Sequence, residues 1–314
     1  MKDYRIGLLT PISHLPGLDE LLNSKGEVFN MEYDTANTIP NTIKACQINT
    51  LVCNPNKQAY KLNADILDNT VVSTILTCST GLSHIDLEYC EANSIEVLSL
   101  TTDLDVINQL PSTAELAFIL MGNLLRKIPE ATDDVEQGSW DYELFIGRQI
   151  KGLKIGIVGY GRLGKMMFDY CKAFGANVMA YDPYIAYVNT LSNDRCSSLD
   201  YMFEWADVVS LHVHLNDETR NMINMRLLSI PKKPFYLINT SRGGVVNEKA
   251  VINALIFGKL TGYATDVLAD ENGNITDSPI LSKINDLNII VTPHIGGMTW
   301  EGQELAYKAA INKL

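Results

Sequence analysis

The chain has 314 residues, 37 of them acidic and 25 basic, for a formal net charge of −12. It is 46% hydrophobic and 20% charged, the balance of an ordinary globular protein long enough for two cores. The acidic surplus excludes a phosphate-neutralising nucleic-acid role. No apolar run reaches transmembrane length and the N-terminus lacks a basic-then-apolar signal segment, so a cytoplasmic location and no membrane partner are expected. Cys46, Cys53, Cys78, Cys90, Cys171 and Cys196 form no C-x-x-C pair, and several lie in apolar runs. Buried, reduced thiols are expected, with no metal site and no disulfide framework.

The first hundred residues alternate strand and helix. Strands are expected at Tyr4–Thr10, Thr50–Cys53, Val71–Cys78 and Glu96–Leu100, with helices at Leu18–Leu22 and Leu87–Ala92. This alternation predicts a parallel, doubly wound sheet. Asp86 stands where it would cap its helix, and His14 and His84 read as loop histidines without chemistry. A long apolar helix is expected from Pro111 towards Ile128, with Ser112 and Glu115 at capping-box spacing. The polar stretch Pro129–Gly152, which contains Trp140, reads as an irregular arm suited to a subunit contact.

Lys151–Asp182 is the most informative stretch. Ile155–Val158 is short and β-branched enough for a buried parallel strand, and Gly159, Gly161 and Gly164 follow it at G-x-G-x-x-G spacing. Leu163, Met166, Met167, Tyr170 and Phe174 then recur at helical spacing, and Gly175 ends the helix. A second strand, Asn177–Tyr181, delivers Asp182. Gly159 permits the tight turn, Gly161 lets a pyrophosphate approach the backbone, and Gly164 lets the helix pack closely on the strand. The helix N-terminus offers N–H groups to phosphates, and Asp182 suits ribose hydroxyls while repelling the extra phosphate of NADP. This register predicts an NAD site.

Further strands are expected at Val208–Val213, Phe235–Thr240, Gly262–Val267 and Ile289–Thr292, with helices after Ser198, at Glu248–Phe257 and from Trp300. Ligands of an open parallel sheet bind beyond the carboxyl ends of its strands, which gathers His212, Thr240, Arg242, Asp266 and His294 at one edge, within reach of Glu271. Hydride transfer to or from a 2-oxo or 2-hydroxy acid needs a proton-exchanging group, for which histidine is suited, and a carboxylate to stabilise its charged form. It also needs a guanidinium to hold the substrate carboxylate. His294, Glu271 and Arg242 are of the right types. The residues alone leave Glu271 readable as a solvated loop acid and His294 as a structural histidine.

The stretches GIVGYGRLGK, AYDPYI, VSLHVHLNDETRNMI, LINTSRGGVVNE, ATDVLADEN and NIIVTPHIGGMT resemble the D-isomer-specific 2-hydroxyacid dehydrogenase family, as do STGLSHIDLEYC and PSTAELAFILMGNLLR upstream. The resemblance runs nearly end to end. It implies catalytic roles for Arg242, Glu271 and His294, and NAD contacts from Gly159, Gly161, Arg162, Leu163, Gly164, Asp182, His212, Thr219, Thr240, Asp266 and Gly297. It also implies substrate contacts from Asn54, Lys57, Thr80, Gly81, Leu82, Arg242 and His294, with the Thr80–Leu82 turn turning N–H groups to the substrate carboxylate.

The fold so implied has two doubly wound parallel-sheet domains. A flavodoxin-like substrate domain comprises residues 1–101 plus 296–314, and a Rossmann NAD domain at 102–295 is inserted into it. A homodimer acting on a small anionic 2-hydroxy or 2-oxo acid is implied. A non-catalytic, NAD-responsive corepressor and a formate- or phosphite-type dehydrogenase are the alternatives on the same fold. Departures from the family pattern are His214 for proline, Asn272 for proline and Asn247 for aspartate. The segment Val52–Lys57 lacks the arginine with which phosphoglycerate dehydrogenases hold a phosphate, leaving Lys57 in that role. The C-terminal regulatory domain of longer relatives is not expected.

Overall fold

The computed structural model describes residues 4–55, 60–184, 194–271 and 275–314. The chain forms two compact units, Met1–Leu110 with Gly297–Leu314, and Pro111–Gly296.

The first unit is a five-stranded parallel sheet of β1 (Tyr4–Leu8), β2 (Gly26–Asn30), β3 (Thr50–Cys53), β4 (Thr74–Thr77) and β5 (Glu96–Leu98). Their order, β2-β1-β3-β4-β5, is the flavodoxin-like one. β3 and β4 are buried along their whole length, as central parallel strands covered on both faces must be. One face packs Ile39, Ile43, Ile66 and Leu67; the other packs Leu18, Leu22 and, from the C-terminal helix Trp300–Ile311, Tyr307, Ala310 and Ile311. β2 and the helix Ile39–Cys46 were not anticipated. β2 is an edge strand with no fully buried residue, so it lacks the apolar run that marks its neighbours.

The second unit holds six parallel strands, β6 (Lys154–Val158), β7 (Asn177–Tyr181), β8 (Val208–Leu211), β9 (Phe235–Asn239), β10 (Leu260–Thr265) and β11 (Ile289–Val291). They run in the order β11-β10-β9-β8-β6-β7, and a parallel bridge from Ala180 to Arg195 adds a further edge beyond β7. The sheet therefore grows in opposite directions from β6, the switch point at which open α/β sheets bind ligands. The helix Ser112–Arg126 covers one face through Ala117, Leu120, Met121, Leu124 and Leu125. Burial of each of these leucines and of Met121 stabilises by about 1.5–3 kcal/mol before chain entropy is counted.

Three local readings need correction. Pro111 is the N-cap and Ser112 the first helical residue, so the capping-box spacing sits one position out of phase. Residues Ile128–Glu136 are helical rather than irregular, because Pro129 occupies the first turn, where its missing N–H costs nothing. In the helix Arg162–Ala173 the buried stripe is Gly164, Met167, Phe168 and Cys171, whereas Leu163, Met166 and Tyr170 are half-buried and Phe174 is exposed. Asp86 does cap its helix, accepting from the Tyr89 N–H. Five cysteines are buried and Cys46 is half-buried, all as free thiols. Among the described residues no helix is long and apolar enough to cross a membrane.

Candidate active site

Register explains how residues remote in sequence reach one edge. Tyr181, Val158, Leu211, Asn239, Thr265 and Val291 form a single hydrogen-bonded row across the six strands. The residue following each is Asp182, Gly159, His212, Thr240, Asp266 and Thr292, so five of the sequence-selected positions stand one step beyond the same row.

The glycine-rich turn has the geometry its spacing demands. Gly159 has φ +90°, and a Cβ there would lie 2.3 Å from the His212 carbonyl oxygen. At Gly164 a Cβ would lie 2.0 Å from the Gly159 carbonyl oxygen, so only glycine lets the helix seat this close. Gly161 differs: a Cβ there would meet no atom within 4 Å. Open space at the helix N-terminus is the room a pyrophosphate needs. Arg162 and Leu163 open the helix half-buried, and desolvation pulls the Arg162 guanidinium below its usual range. Asp182 accepts from the Tyr160 N–H at 2.9 Å and the Tyr184 N–H at 3.0 Å, which fixes both the acid and the turn.

His212 is half-buried, its Nε2 lies 2.9 Å from Ser210 Oγ, and desolvation pulls the ring down to about 4, so it is neutral at physiological pH. Thr219 spends its hydroxyl within its own turn, donating to the His214 carbonyl at 2.6 Å. Thr240 Oγ1 is buried with no hydrogen-bond partner among the described residues. A buried hydroxyl of this kind is costly unless a ligand satisfies it. With the open space at Gly161, it makes the edge a good fit for a dinucleotide.

Three further side chains converge beyond β9–β11. Arg242 follows β9 and its half-buried guanidinium donates to the Ser241 carbonyl at 2.7 Å. Desolvation lowers its pKa, partly offset by the negative charge of Glu271. The backbone around it is set by buried Asn239, whose Oδ1 accepts from the Ser241 N–H and hydroxyl while its Nδ2 donates to the Arg242 carbonyl. His294 Nδ1 lies 2.6 Å from Glu271 Oε2, and Glu271 Oε1 accepts from the Leu268 N–H at 3.0 Å. The loop acid that sequence left ambiguous is thus in direct contact with the histidine.

His294 has φ +54°, a left-handed conformation uncommon for a non-glycine residue. Asp266 holds it there. Its carboxylate accepts from the Thr292 hydroxyl at 2.6 Å, the Ile295 N–H at 2.8 Å and the Gly296 N–H at 2.8 Å, and its carbonyl accepts from the His294 N–H. Burial raises the Asp266 pKa; those bonds and the nearby His294 only partly offset it.

The remaining sequence-selected residues belong to the first unit. Asn54 is buried and donates to the Tyr307 hydroxyl at 3.1 Å. Thr80, Gly81 and Leu82 lie in the irregular segment after β4, where the Gly81 carbonyl accepts from Ser79 Oγ at 3.0 Å. Gly297 is exposed, and Lys57 lies outside the described residues. Sequence reasoning missed Asn239 and Thr292. The one signal for Asn239 was its place at the end of an apolar strand just before Arg242.

A parallel sheet with its glycine turn at the switch point and an acid ending the next strand defines a dinucleotide-binding α/β protein. Residues 118–296 match the family described as D-isomer specific 2-hydroxyacid dehydrogenase, NAD binding domain. The chain is 33% identical over 249 residues to a hydroxypyruvate reductase of Thermotoga maritima, covering 79% of this chain and 78% of that one. It is 32% identical over 253 residues to a D-3-phosphoglycerate dehydrogenase of Methanocaldococcus jannaschii, covering 80% of this chain but 46% of the relative. The chain thus spans about half the length of several curated relatives it matches. A D-lactate dehydrogenase from Aquifex aeolicus, solved with NAD and lactic acid, superposes with a TM-score of 0.80 at 27% identity, covering 98% of this chain and 93% of that one. The chain belongs to the D-isomer-specific 2-hydroxyacid dehydrogenase family, and its second unit carries the NAD-binding domain.

Proposed function

We propose that this chain interconverts a small D-2-hydroxy acid and its 2-oxo acid with NAD as the redox partner. The observation that carries this reading is the 2.6 Å contact of Glu271 with His294 Nδ1, at the same sheet edge as Arg242. Glu271 orients the imidazole through Nδ1, which assigns proton exchange with the substrate oxygen to Nε2. Arg242 holds the substrate carboxylate and stabilises negative charge developing on that oxygen; its planar fork matches a planar anion and its partial burial strengthens the contact. NAD, when bound, supplies the hydride acceptor or donor. The turn at Gly159–Gly161 and the helix from Arg162 receive the phosphates, Asp182 the ribose and Thr240 a polar group of the cofactor.

The substrate class follows from the relatives' names, which cover phosphoglycerate, hydroxypyruvate and lactate chemistry. The test is NADH oxidation with glyoxylate, hydroxypyruvate, pyruvate, 2-oxoglutarate and 3-phosphohydroxypyruvate. Turnover of one or more acids is expected. Silence across the panel, with NADH bound tightly, would contradict the reading and favour a non-catalytic NAD-responsive role.

A homodimer and a cytoplasmic location complete the proposal. Exposed Trp140, Tyr142, Leu144 and Ile146 follow the helix Ile128–Glu136 and form an apolar stretch suited to a second copy of the chain. Sedimentation of the wild type as a dimer and of Trp140→Glu as a monomer is the expected result.

A further inference from the structure

We infer that Glu248 is a positioning residue for the Glu271–His294 pair, holding through the Ala269 N–H the backbone that leads into Glu271, with its second oxygen anchored by the Ser278 hydroxyl. This rests on the catalytic reading of that pair given above.

Glu248 is the first residue of the helix Glu248–Ile256, where an acid ordinarily faces water and favours the helix dipole. Here the residue is 9% exposed, and both carboxylate oxygens are spent on another part of the chain. Oε1 accepts from the Ala269 N–H at 2.8 Å and Oε2 from the Ser278 hydroxyl at 2.9 Å. The helix does not need this side chain for its own cap, because Asn247 accepts from the Ala250 N–H at 3.0 Å. A carboxylate is costly to bury, and charge-assisted bonds offset that cost only where the donors are held in place. A buried acid bonded entirely outside its own helix therefore fixes the position of what it binds.

What it binds stands next to the chemistry. The N–H groups of consecutive residues are divided between two glutamates, Leu268 donating to Glu271 and Ala269 to Glu248. The same two residues press on the arginine segment: a Cβ on Gly243 would lie 1.9 Å from the Leu268 carbonyl oxygen and 2.4 Å from the Ala269 nitrogen. Ala269 thus has Glu248 on one side and the backbone after Arg242 on the other. Its release would let Glu271 drift from His294. Ser278 extends the tie to the core, since its Oγ also accepts from the N–H of fully buried Ile280.

The experiment is a double-mutant cycle of Glu248→Ala and Glu271→Gln, read as steady-state kinetics on the best 2-oxo acid and as NADH affinity by fluorescence. Glu248→Ala is expected to lower kcat by about tenfold to a hundredfold, the usual consequence of a small misplacement near the chemistry. NADH affinity should stay within about twofold, and in the Glu271→Gln background the same substitution should change kcat by less than about twofold, because the pair it serves is already broken. Glu248→Gln should restore most of the activity, its carbonyl still accepting from Ala269 and its amide donating to the Ser278 hydroxyl.

Unchanged kcat in folded Glu248→Ala, or penalties that multiply fully in the double variant, would overturn the inference. If Glu248→Ala does not fold, Ser278→Ala carries the test: a several-fold loss of kcat at constant NADH affinity supports the inference and no loss overturns it. A wild type that turns over no 2-oxo acid, or a Glu271→Gln variant with normal kcat, would instead remove the catalytic reading itself.

Discussion

The six-stranded sheet buries an aspartate at each end, and the two are treated in opposite ways. Asp207, one residue before β8, accepts from the Lys154 N–H at 2.9 Å and has Lys233 at 3.3 Å and Arg148 at 3.4 Å. Burial alone would raise its pKa, but the hydrogen bonds and the two cations outweigh it and hold the carboxyl below the usual range. Asp266, one residue after β10, receives three hydrogen bonds and pairs with no lysine or arginine among the described residues, and burial keeps its pKa raised. The amino end is neutralised for stability. The carboxyl end meets its aspartate with hydrogen-bond donors and the nearby His294, and that aspartate fixes the left-handed backbone of His294. Backbone strain and imperfectly compensated charge are general marks of binding sites.

The contrast is sharpest at His294. Replacing it with alanine should cost about 10²- to 10⁴-fold in kcat, the range for a lost general acid, and leave the thermal midpoint nearly unchanged. Asp266→Asn sets an amide NH2 against a backbone N–H of the His294 loop. Turnover should fall about tenfold to a hundredfold through the misplaced imidazole, and stability by about 1–3 kcal/mol through the unmet donor. At the other end, Asp207→Ala strands the Lys154 N–H. It should cost a similar ~1–3 kcal/mol in urea unfolding while turnover per folded molecule stays the same. Equal losses of turnover from Asp207→Ala and Asp266→Asn would erase the distinction.

The glycine turn offers a second, smaller contrast. Gly159→Ala should destabilise by at least about 1–3 kcal/mol, because its φ and the His212 carbonyl both reject a Cβ. Gly161→Ala meets open space and should unfold like the wild type, yet bind NADH more weakly by calorimetry.

The smallest effect is in pH dependence, where the two aspartates should differ in sign. The lowered Asp207 value means its contribution is present above the unfolded carboxyl value near ~4 and is lost as pH falls through the folded one. The stability gap between wild type and Asp207→Ala should therefore close in acid. Asp266 is raised, so its ionised form is a cost above the folded value that disappears as pH falls below the unfolded one. The gap between wild type and Asp266→Asn should widen over that fall. Urea titrations across this range measure both.

What the sequence made legible follows from what parallel sheets require. β-branched runs bounded by glycine or polar residues located β6 to β11 within a residue or two, and the strand-end rule then collected His212, Thr240, Arg242, Asp266 and His294. Edge strand β2 escaped because none of its residues is fully buried, and the helices Ile39–Cys46 and Ile128–Glu136, each with a proline in its first turn, escaped as well. Contacts made across long sequence separations were not legible either. The residues alone left Glu271 open to reading as a solvated loop acid, and only the resemblance gave it a catalytic place, whereas its oxygen lies beside His294; Glu248 stood only as the first residue of a helix, although it is buried against Ala269 and Ser278. Asn247 departs from the family's aspartate without consequence, since asparagine caps its helix equally well.

The most direct test of the account is NADH oxidation on the preferred 2-oxo acid by the wild type, His294→Ala and Asp207→Ala, assayed side by side. The account predicts turnover in the wild type and in Asp207→Ala, and its near-complete loss in His294→Ala. Near-normal turnover in His294→Ala would contradict it.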